Sequence, residues 1–177
     1  MLKLFTQTGL RFLWLSALVF GLDQWSKYAV ADSLSLYQSV QVMPLFNLTY
    51  VHNYGAAFSF LHGAGGWQRW FFTAIAVVIS VLIVWWLRQS ERQQVRLPVA
   101  FAFILGGALG NVYDRVVHGY VIDFLDFYVG DWHWPAFNVA DSAIFVGAAL
   151  LILDMLMGNS QEESPDTASS ADNERGN

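Results

Sequence analysis

The sequence predicts an all-α integral membrane protein with four transmembrane helices and a small extended, β-like cradle on its outer face. Of the 177 residues, 55% are hydrophobic and only 13% are charged, which is too apolar for an average soluble domain. Four apolar stretches approach the ~20 residues that a helix needs to cross a bilayer. Two aspartates, Asp123 and Asp141, also stand in apolar surroundings, where a carboxylate is costly unless a partner or water receives it.

The four predicted spans run approximately from Leu10 to Ala31, Trp70 to Leu87, Leu97 to Val117 and Phe137 to Met157. The first could be mistaken for a secretory signal peptide, because Lys3 and Arg11 precede its apolar run. An uncleaved anchor is favoured, because no clear small-x-small cleavage site follows that run.

Basic residues predict the orientation of the spans. The link between the second and third spans carries Arg88, Arg92 and Arg96. Residues 116–136 contain no Lys or Arg, so the positive-inside rule puts the arginine link in the cytoplasm. Both termini are then cytoplasmic. The connections of about 32–69 and 116–136 lie on the outer face, together with Asp123 and Asp141.

The first outer connection predicts short strands on the membrane surface. Residues 37–50 alternate imperfectly and are rich in Val, Leu, Phe, Thr and Tyr, which is typical of strands. Asn53 and Gly55 follow, in a run of small residues that lets a backbone approach closely. A peptide cradle beside the two acids is one interpretation, and a sheet fragment with a turn is the other.

The third span carries a dense polar motif near its outer end. Gly107, Asn111 and Asp114 share one helical face by their i, i+4, i+7 spacing, so this face is expected to look into the bundle. A structural role is favoured for Asp114, which can be neutralised by Arg115 or by another neighbouring charge. Arg115 could instead hold a substrate carbonyl or a phosphate head group.

The first span predicts an intrahelical ion pair. Asp23 and Lys27 stand at i, i+4 with the acid first, which is the favourable order, and a structural pair is favoured over direct catalysis. Ser26 beside Lys27 suggests a Ser-Lys protease, but adjacent helical residues point about 100° apart. No metal site is expected, because the chain has no Cys and its four histidines do not occur at a spacing typical of metal ligands, such as H-E-x-x-H. These are His52, His62, His118 and His133.

The chain divides into one membrane domain, 1–159, and a predicted disordered acidic tail, 160–177, in the cytoplasm. The tail holds Ser, Asp, Glu and Asn without a large apolar residue, a composition that cannot form a packed core.

These residues alone are compatible with two functions from different classes, a hydrolase and a transporter subunit. Two close carboxylates share a proton and can perform acid–base hydrolysis. A small proton- or cation-translocating transporter subunit would instead use Asp114, Asp123 and Asp141 as a relay. A relay requires acids at several membrane depths, whereas the inner half of the predicted spans is nearly apolar apart from Asp154. A structural scaffold would leave the outward polar cluster unexplained.

Five sequence blocks, which occur in order along nearly the whole chain except the tail, carry a family resemblance. They are Asp23-Gln24-x-x-Lys27, Asn53-x-Gly55-Ala56-Ala57-Phe58, Gly106-Gly107-x-x-Gly110-Asn111-x-x-Asp114-Arg115, Val121-x-Asp123-Phe124 and Phe137-Asn138-x-Ala140-Asp141. Together they resemble the lipoprotein signal peptidase family, also called signal peptidase II. One block would be weak support, whereas five with compatible spacing are highly specific.

The resemblance implies an aspartic endopeptidase of the bacterial inner membrane, with its active site at the periplasmic face. Its substrates would be prolipoproteins whose lipobox cysteine already carries diacylglyceryl, cut on the N-terminal side of that cysteine. No metal, cofactor or nucleic acid is implied, and we expect a monomer in contact with membrane lipid.

The family's catalytic positions match Asp123 and Asp141. The substrate-binding or supporting residues are predicted to be Asn53, Asn111, Arg115, Asn138, Asp23, Lys27, Gly107 and Asp114. Asp126 does not fall on a motif, and we expect it to be a surface acid.

Overall fold

The structure, a computed structural model, describes residues 2–55 and 66–159. Its helices are α1 (Leu2–Gln7), α2 (Leu13–Ser33), α3 (Trp67–Gln89), α4 (Arg96–Val117) and α5 (Val139–Asn159), with a 3-10 turn at Gly9–Phe12. Its strands are β1 (Ser39–Met43), β2 (Phe46–Asn53), β3 (Val121–Val129) and β4 (Trp132–His133). The predicted tail, 160–177, and residues 56–58 of the second block lie outside the described residues.

Three of the described helices are long and apolar enough to cross a membrane. They are α3, α4 and the Val139–Met157 part of α5, which matches the predicted second, third and fourth spans. The 21-residue α2 covers most of the predicted first span, but Asp23, Gln24 and Lys27 make it more polar than these three. A membrane crossing by α2, the predicted first span, and the orientation of the termini therefore stay predictions.

Helix α4 is the centre of the bundle and packs against α2, α3 and α5. Glycines make two of these contacts close. A Cβ at Gly106 would lie 2.7 Å from the backbone oxygen of Ser16 in α2. A Cβ at Gly107 would overlap the backbone oxygen of Ala140 in α5. Small residues at helix contacts let backbones approach closely in lipid, and here they bring polar groups on three helices within hydrogen-bonding reach.

An apolar cluster fills the end of the bundle near the α3–α4 link. It contains Leu10, Ile83, Leu87, Phe101 and Leu105, contributed by the 3-10 turn, α3 and α4. This packing orients α3 against α4 at the end remote from the sheet.

The sheet lies at the opposite end of the bundle and is antiparallel, in the order β1-β2-β3-β4. Strands β1 and β2 confirm the strands predicted from the alternation of residues 37–50. Strand β3 was missed, because residues 121–126 read as a nearly continuous apolar run broken only by acids. Val51 of β2 pairs with Asp123 of β3, so the sheet holds one of the two predicted catalytic acids in place.

A second cluster attaches the sheet to the helices. Val30 of α2 packs with Ile122 and Phe124 of β3, and Val139 at the start of α5 packs against them. The polar residues of β3 and α5 therefore meet next to a fixed apolar contact.

Candidate active site

Asp123 and Asp141 come together where β3 meets the first turn of α5, and three asparagines donate hydrogen bonds to them. Asn138 Nδ2 lies 2.7 Å from Asp123 Oδ1, and Asn53 Nδ2 lies 2.9 Å from Asp123 Oδ2. Asn111 Nδ2 lies 2.8 Å from Asp141 Oδ1. Asp123 is only 2% exposed, whereas Asp141 is half-buried. The site therefore joins a shielded carboxyl to one that solvent can reach.

Asn138 also begins helix α5. Its Oδ1 accepts a hydrogen bond from the backbone N–H of Asp141 at 2.9 Å, and Asp141 Oδ2 accepts one from the backbone N–H of Asn138 at 3.3 Å. This reciprocal pair is a capping box. It fixes the carboxylate of Asp141 at the helix N-terminus, where the helix dipole favours negative charge.

The amide of Asn111 has one orientation, which Lys27 imposes. Lys27 Nζ donates to Asn111 Oδ1 at 3.1 Å, and Asn138 Nδ2 donates to the same oxygen at 3.2 Å. A lysine ammonium has donors and no acceptor, so the amide oxygen of Asn111 must face Lys27. The NH₂ group of Asn111 must then face Asp141.

Lys27 also forms the centre of a buried ion group. Its Nζ lies 2.7 Å from Asp23 Oδ2 and 2.9 Å from Asp114 Oδ2, and all three side chains are at most 1% exposed. Gln24 Nε2 donates to Asp114 Oδ1 at 2.9 Å. The predicted Asp23–Lys27 pair is confirmed as a contact, and Asp114 is a second acid on the same cation.

The two acids of this ion group hold backbone atoms of the elements that carry the site. Asp23 Oδ1 accepts from the backbone N–H of Ala140 in α5 at 2.8 Å. Asp114 Oδ2 accepts from the backbone N–H of Ile122 in β3 at 3.1 Å. Each of these N–H groups lies next to one of the predicted catalytic acids, so the ion group sets the relative position of Asp123 and Asp141.

Arg115 does not pair with Asp114. Its Nη1 donates to the backbone oxygen of Asn111 at 3.2 Å, and its Nη2 donates to that of Gly55 at 3.2 Å. The guanidinium also lies 5.7 Å from the ring centroid of Phe72 in α3. Of the two predicted partners of Asp114, the structure shows the neighbouring charge, Lys27, and not Arg115. A one-residue step on a helix turns Asp114 and Arg115 about 100° apart.

Gly107 lies on the same face as Asn111 and Asp114, as predicted, and all three are buried. Its contact is with Ala140 of α5, the residue whose N–H binds Asp23. Gly107 therefore sets the spacing between the helices that carry Asn111 and Asp141, and it offers no side chain to a ligand.

Asn53 is held in one orientation by the strand end that carries it. Its Oδ1 accepts a hydrogen bond from the backbone N–H of Gly55 at 2.9 Å, which turns Nδ2 toward Asp123. The structure thus brings all eight predicted supporting residues into one connected region around the two acids.

The environment of Asp123 disfavours its ionised form. Desolvation by burial, followed by repulsion from Asp141, raises the pKa of Asp123 to about 7, although hydrogen bonds from Asn53 and Asn138 act in the opposite direction. Two close carboxyls titrate as a pair. Near neutral pH the pair can therefore hold one proton.

Asp126 is not the surface acid that was expected. It is 5% exposed and accepts hydrogen bonds from Thr49 Oγ1 at 2.8 Å and Asn47 Nδ2 at 3.3 Å. His133 Nδ1 lies 2.8 Å from its Oδ1. Burial acts to raise the pKa of Asp126, but the hydrogen bonds from His133 and Thr49 outweigh it and the pKa is lowered.

Asp126 was misjudged because β3 was missed. Side chains three residues apart on a strand point to opposite faces, so Asp126 faces away from Asp123 and into the polar side of the sheet. Within 2–55 and 66–159, no group of three or more His, Asp or Glu side chains could hold a metal ion.

Two solved structures share this arrangement of helices and sheet. Each is described as a bacterial membrane enzyme determined by the in meso method, one at 2.3 Å and the other at 1.9 Å. The first has a TM-score of 0.78 and 30% identity, over 89% of this chain and 94% of its own. The second has a TM-score of 0.71 and 32% identity, over 82% and 92%. The fold and the apolar helices are those of a bacterial membrane protein.

Sequence relatives identify the family. The family model for signal peptidase II matches residues 15–157. A lipoprotein signal peptidase from Alteromonas mediterranea is 75% identical, over 96% of this chain and 93% of its own length. One from Pseudoalteromonas atlantica is 62% identical, over 88% and 94%. The chain belongs to the signal peptidase II family, and the transporter alternative is not supported.

Proposed function

We propose that this protein is an aspartic endopeptidase that removes signal peptides from diacylglyceryl-modified prolipoproteins, cutting before the lipidated lipobox cysteine. The observation that carries the proposal is the meeting of Asp123 and Asp141, on which the amide groups of Asn53, Asn111 and Asn138 converge. Amide donors orient both carboxyls without neutralising either, as a proton-sharing pair requires.

The environments of the two acids support different roles. Asp141 stands at the N-terminus of α5, where the helix dipole stabilises negative charge, and solvent reaches it more readily than it reaches Asp123. Asp123 is buried and has a pKa of about 7, which favours its protonated form at neutral pH. We therefore assign the base to Asp141 and the acid to Asp123.

In the first chemical step, Asp141 takes a proton from water while the water oxygen attacks the scissile carbonyl carbon. Asp123 gives its proton to the carbonyl oxygen, so a neutral gem-diol forms. Asp141 is now the protonated member of the pair and Asp123 the ionised one. In the second step, Asp141 protonates the leaving nitrogen as the C–N bond breaks, and Asp123 recovers its proton from a diol hydroxyl. The pair returns to its starting state, with no metal or cofactor needed.

The membrane arrangement is part of the same proposal. Helix α2 is the first of four spans, both termini are cytoplasmic, and the acid pair faces the periplasm from the inner membrane. The neutralisation of Lys27 by Asp23 and Asp114 supports α2 as a span, because paired charges that face the bundle interior are tolerated in membranes. The protein acts as a monomer that receives its substrate from surrounding lipid.

Arg115 is proposed as a positioning residue. Two of its nitrogens are occupied by the backbone oxygens of Asn111 and Gly55, which joins α4 to the chain that follows β2. It thereby keeps Asn53, two residues before Gly55, at its hydrogen bond to Asp123.

The test is cleavage of a diacylglyceryl-modified prolipoprotein by purified protein in detergent with chelator present. Wild type, Asp123→Asn and Asp141→Asn are compared, with Asp126→Asn as the matched control because it changes a buried acid of the same strand outside the pair. Each change in the pair should lower kcat by at least about 100-fold, and the control should stay within a few-fold. Full activity in either pair variant, or loss with chelator, would overturn the aspartic assignment.

A further inference from the structure

An apolar groove of about 560 Å³ runs along the side of the bundle between α2 and α4. Helix α2 contributes Leu13, Ala17 and Phe20, and α4 contributes Leu109, Val112 and Val116, among others. The hydroxyl of Ser16, which also lines the groove, donates to the backbone oxygen of Ala102 at 2.9 Å. This wall therefore consists of hydrocarbon and of polar groups already satisfied within the bundle.

The groove is separate from the acid pair. Its α4 residues Leu105, Leu109, Val112 and Val116 recur at i+4, i+7 and i+11, which makes one stripe along the helix. Asn111 precedes Val112 by one residue and points about 100° away from it, toward Asp141. Leu109 and Val116 are 39% and 48% exposed, so the groove opens sideways, to the space that lipid fills around a membrane protein.

Polar groups gather at the end of the groove near the sheet. The hydroxyls of Tyr113 and Tyr28 lie 3.2 Å apart, and Tyr113 lines the groove. The ring centroid of His118 lies 6.1 Å from that of Tyr28 and 6.3 Å from that of Tyr113. Aromatic side chains with a polar tip are typical of the depth at which lipid head groups begin.

Arg69 of α3 brings a cation to the same end. Its Nη2 donates to the backbone oxygen of Val116 at 2.8 Å, a residue of the groove wall. Its Nε is buried and has no hydrogen-bond partner among the described residues, and the guanidinium lies 4.6 Å from the ring centroid of Trp70. No salt bridge to Arg69 occurs within 2–55 and 66–159. A guanidinium that has no acidic partner among these residues, and that contacts the backbone of a groove residue, has the charge that complements a phosphate.

We propose that this groove binds an anionic phospholipid of the surrounding bilayer. One acyl chain lies against α2 and α4, and the phosphodiester lies by Arg69 with the hydroxyls of Tyr28 and Tyr113 beside it. The site is independent of the proposed peptidase chemistry, because none of its residues contacts Asp123 or Asp141.

Lipid retention in native mass spectrometry tests this proposal. The protein is released from nanodiscs made of equal parts phosphatidylglycerol and phosphatidylethanolamine with the same acyl chains. Wild type should retain one phosphatidylglycerol in preference to phosphatidylethanolamine. Arg69→Gln should lower that preference about tenfold, the loss expected for one hydrogen bond to a charged group. Ala17→Trp, which fills the groove, should lower retention of both lipids.

Matched variants separate a specific site from general effects. Arg92→Gln removes an exposed cation in the α3–α4 link, and Val146→Trp adds an indole to an exposed face of α5; both should retain lipid as wild type does. Equal retention of the two lipids by wild type, or equal losses in the controls, would overturn the proposal. Displacement of bound phosphatidylglycerol by diacylglyceryl-modified substrate would also overturn the proposal, because the groove would then be a substrate-binding site.

Discussion

The asparagines around the acid pair show how one side chain can serve both the fold and the chemistry. Asn138 caps α5 through its amide oxygen and donates to Asp123 through its amide nitrogen. The two functions use opposite ends of one planar group, so a substitution can remove one and keep the other.

Asn138→Ser should separate these functions. Serine is about as good an N-cap as asparagine, but it cannot also donate to Asp123 as the amide nitrogen does. The cap should persist, but the free energy of unfolding should fall by about 1–3 kcal/mol because the buried amide also donates to Asn111 and to the backbone oxygen of Ile122. The kcat should fall at least about tenfold because Asp123 loses a donor. Thermal unfolding and prolipoprotein cleavage measure the two effects. A variant with full activity would show that this hydrogen bond is dispensable.

The pKa of Asp123 predicts a pH dependence of stability. Because folding raises this pKa from 3.8 to about 7, the contribution of Asp123 to stability is complete below about pH 4 and is lost as the pH rises through 7. Asp123→Asn cannot ionise, so it should remove this loss and be the more stable protein at about pH 8, by on the order of a few kcal/mol.

Unfolding midpoints of both proteins between about pH 4 and pH 8 test this sign. Wild-type kcat should fall over the same alkaline range with an apparent pKa near 7, because the pair then loses its shared proton. Parallel midpoint curves for wild type and Asp123→Asn would contradict the assignment of the raised pKa to Asp123.

At the scale of elements, close helix contact and a buried ion group control the geometry of the site. Gly107 allows α4 to approach α5, and Lys27 connects α2 to α4 through Asp114. Neither residue touches the acid pair, yet each determines whether the elements that carry the pair can meet.

Gly107→Ala should separate α4 from α5, because the added methyl group would overlap the backbone oxygen of Ala140. We expect a loss of about 1–3 kcal/mol in unfolding free energy, as for other overpacked sites, together with a lower kcat. Gly21→Ala is the matched control: a Cβ at Gly21 has nothing within 4 Å, so this change should be neutral or slightly stabilising. Equal unfolding midpoints for Gly107→Ala and Gly21→Ala would show that the close approach of Gly107 to Ala140 does not contribute to stability.

Lys27→Met should destabilise the protein by about 3–5 kcal/mol, because it leaves two acids buried without a cation. Adding Asp23→Asn and Asp114→Asn should restore much of the folding, since no buried charge is left unpaired. Activity should stay reduced in the triple variant, because the amide oxygen of Asn111 then keeps only the 3.2 Å hydrogen bond from Asn138 and loses the one from Lys27. A triple variant with wild-type kcat would show that Lys27 acts through stability alone.

At the scale of the whole molecule, predictions based on local spacing agreed best with the structure. The i, i+4 order of Asp23 and Lys27 predicted a pair that the structure contains, and the apolar stretches predicted α3, α4 and α5 within a few residues. The burial of Asp126 could not be predicted, because it depends on the pairing of β3 with β2 and on His133. The contact of Lys27 with Asn111 joins residues 84 positions apart and depends on how α2 packs against α4.

The absence of cysteine in all 177 residues makes the proposed membrane topology testable. A single cysteine at Asp131, in the outer connection, should react with a membrane-impermeant maleimide in intact spheroplasts. Cysteines at Arg92 and Gln7 should react only after permeabilisation, because four spans put both on the cytoplasmic side. Labelling of Gln7→Cys in intact spheroplasts would show that α2 does not cross.

The buried ion group also has a consequence for how the protein is made. Helix α2 leaves the ribosome before Asp114 and Ala140, which satisfy Lys27 and Asp23 in the finished protein. In the proposed four-span topology, α2 presents an incompletely satisfied polar face until α4 and α5 arrive, so we expect it to enter lipid stably only with them. Asp141 lies at the start of the last helix, so we expect the proposed acid pair to form only when the chain is nearly complete.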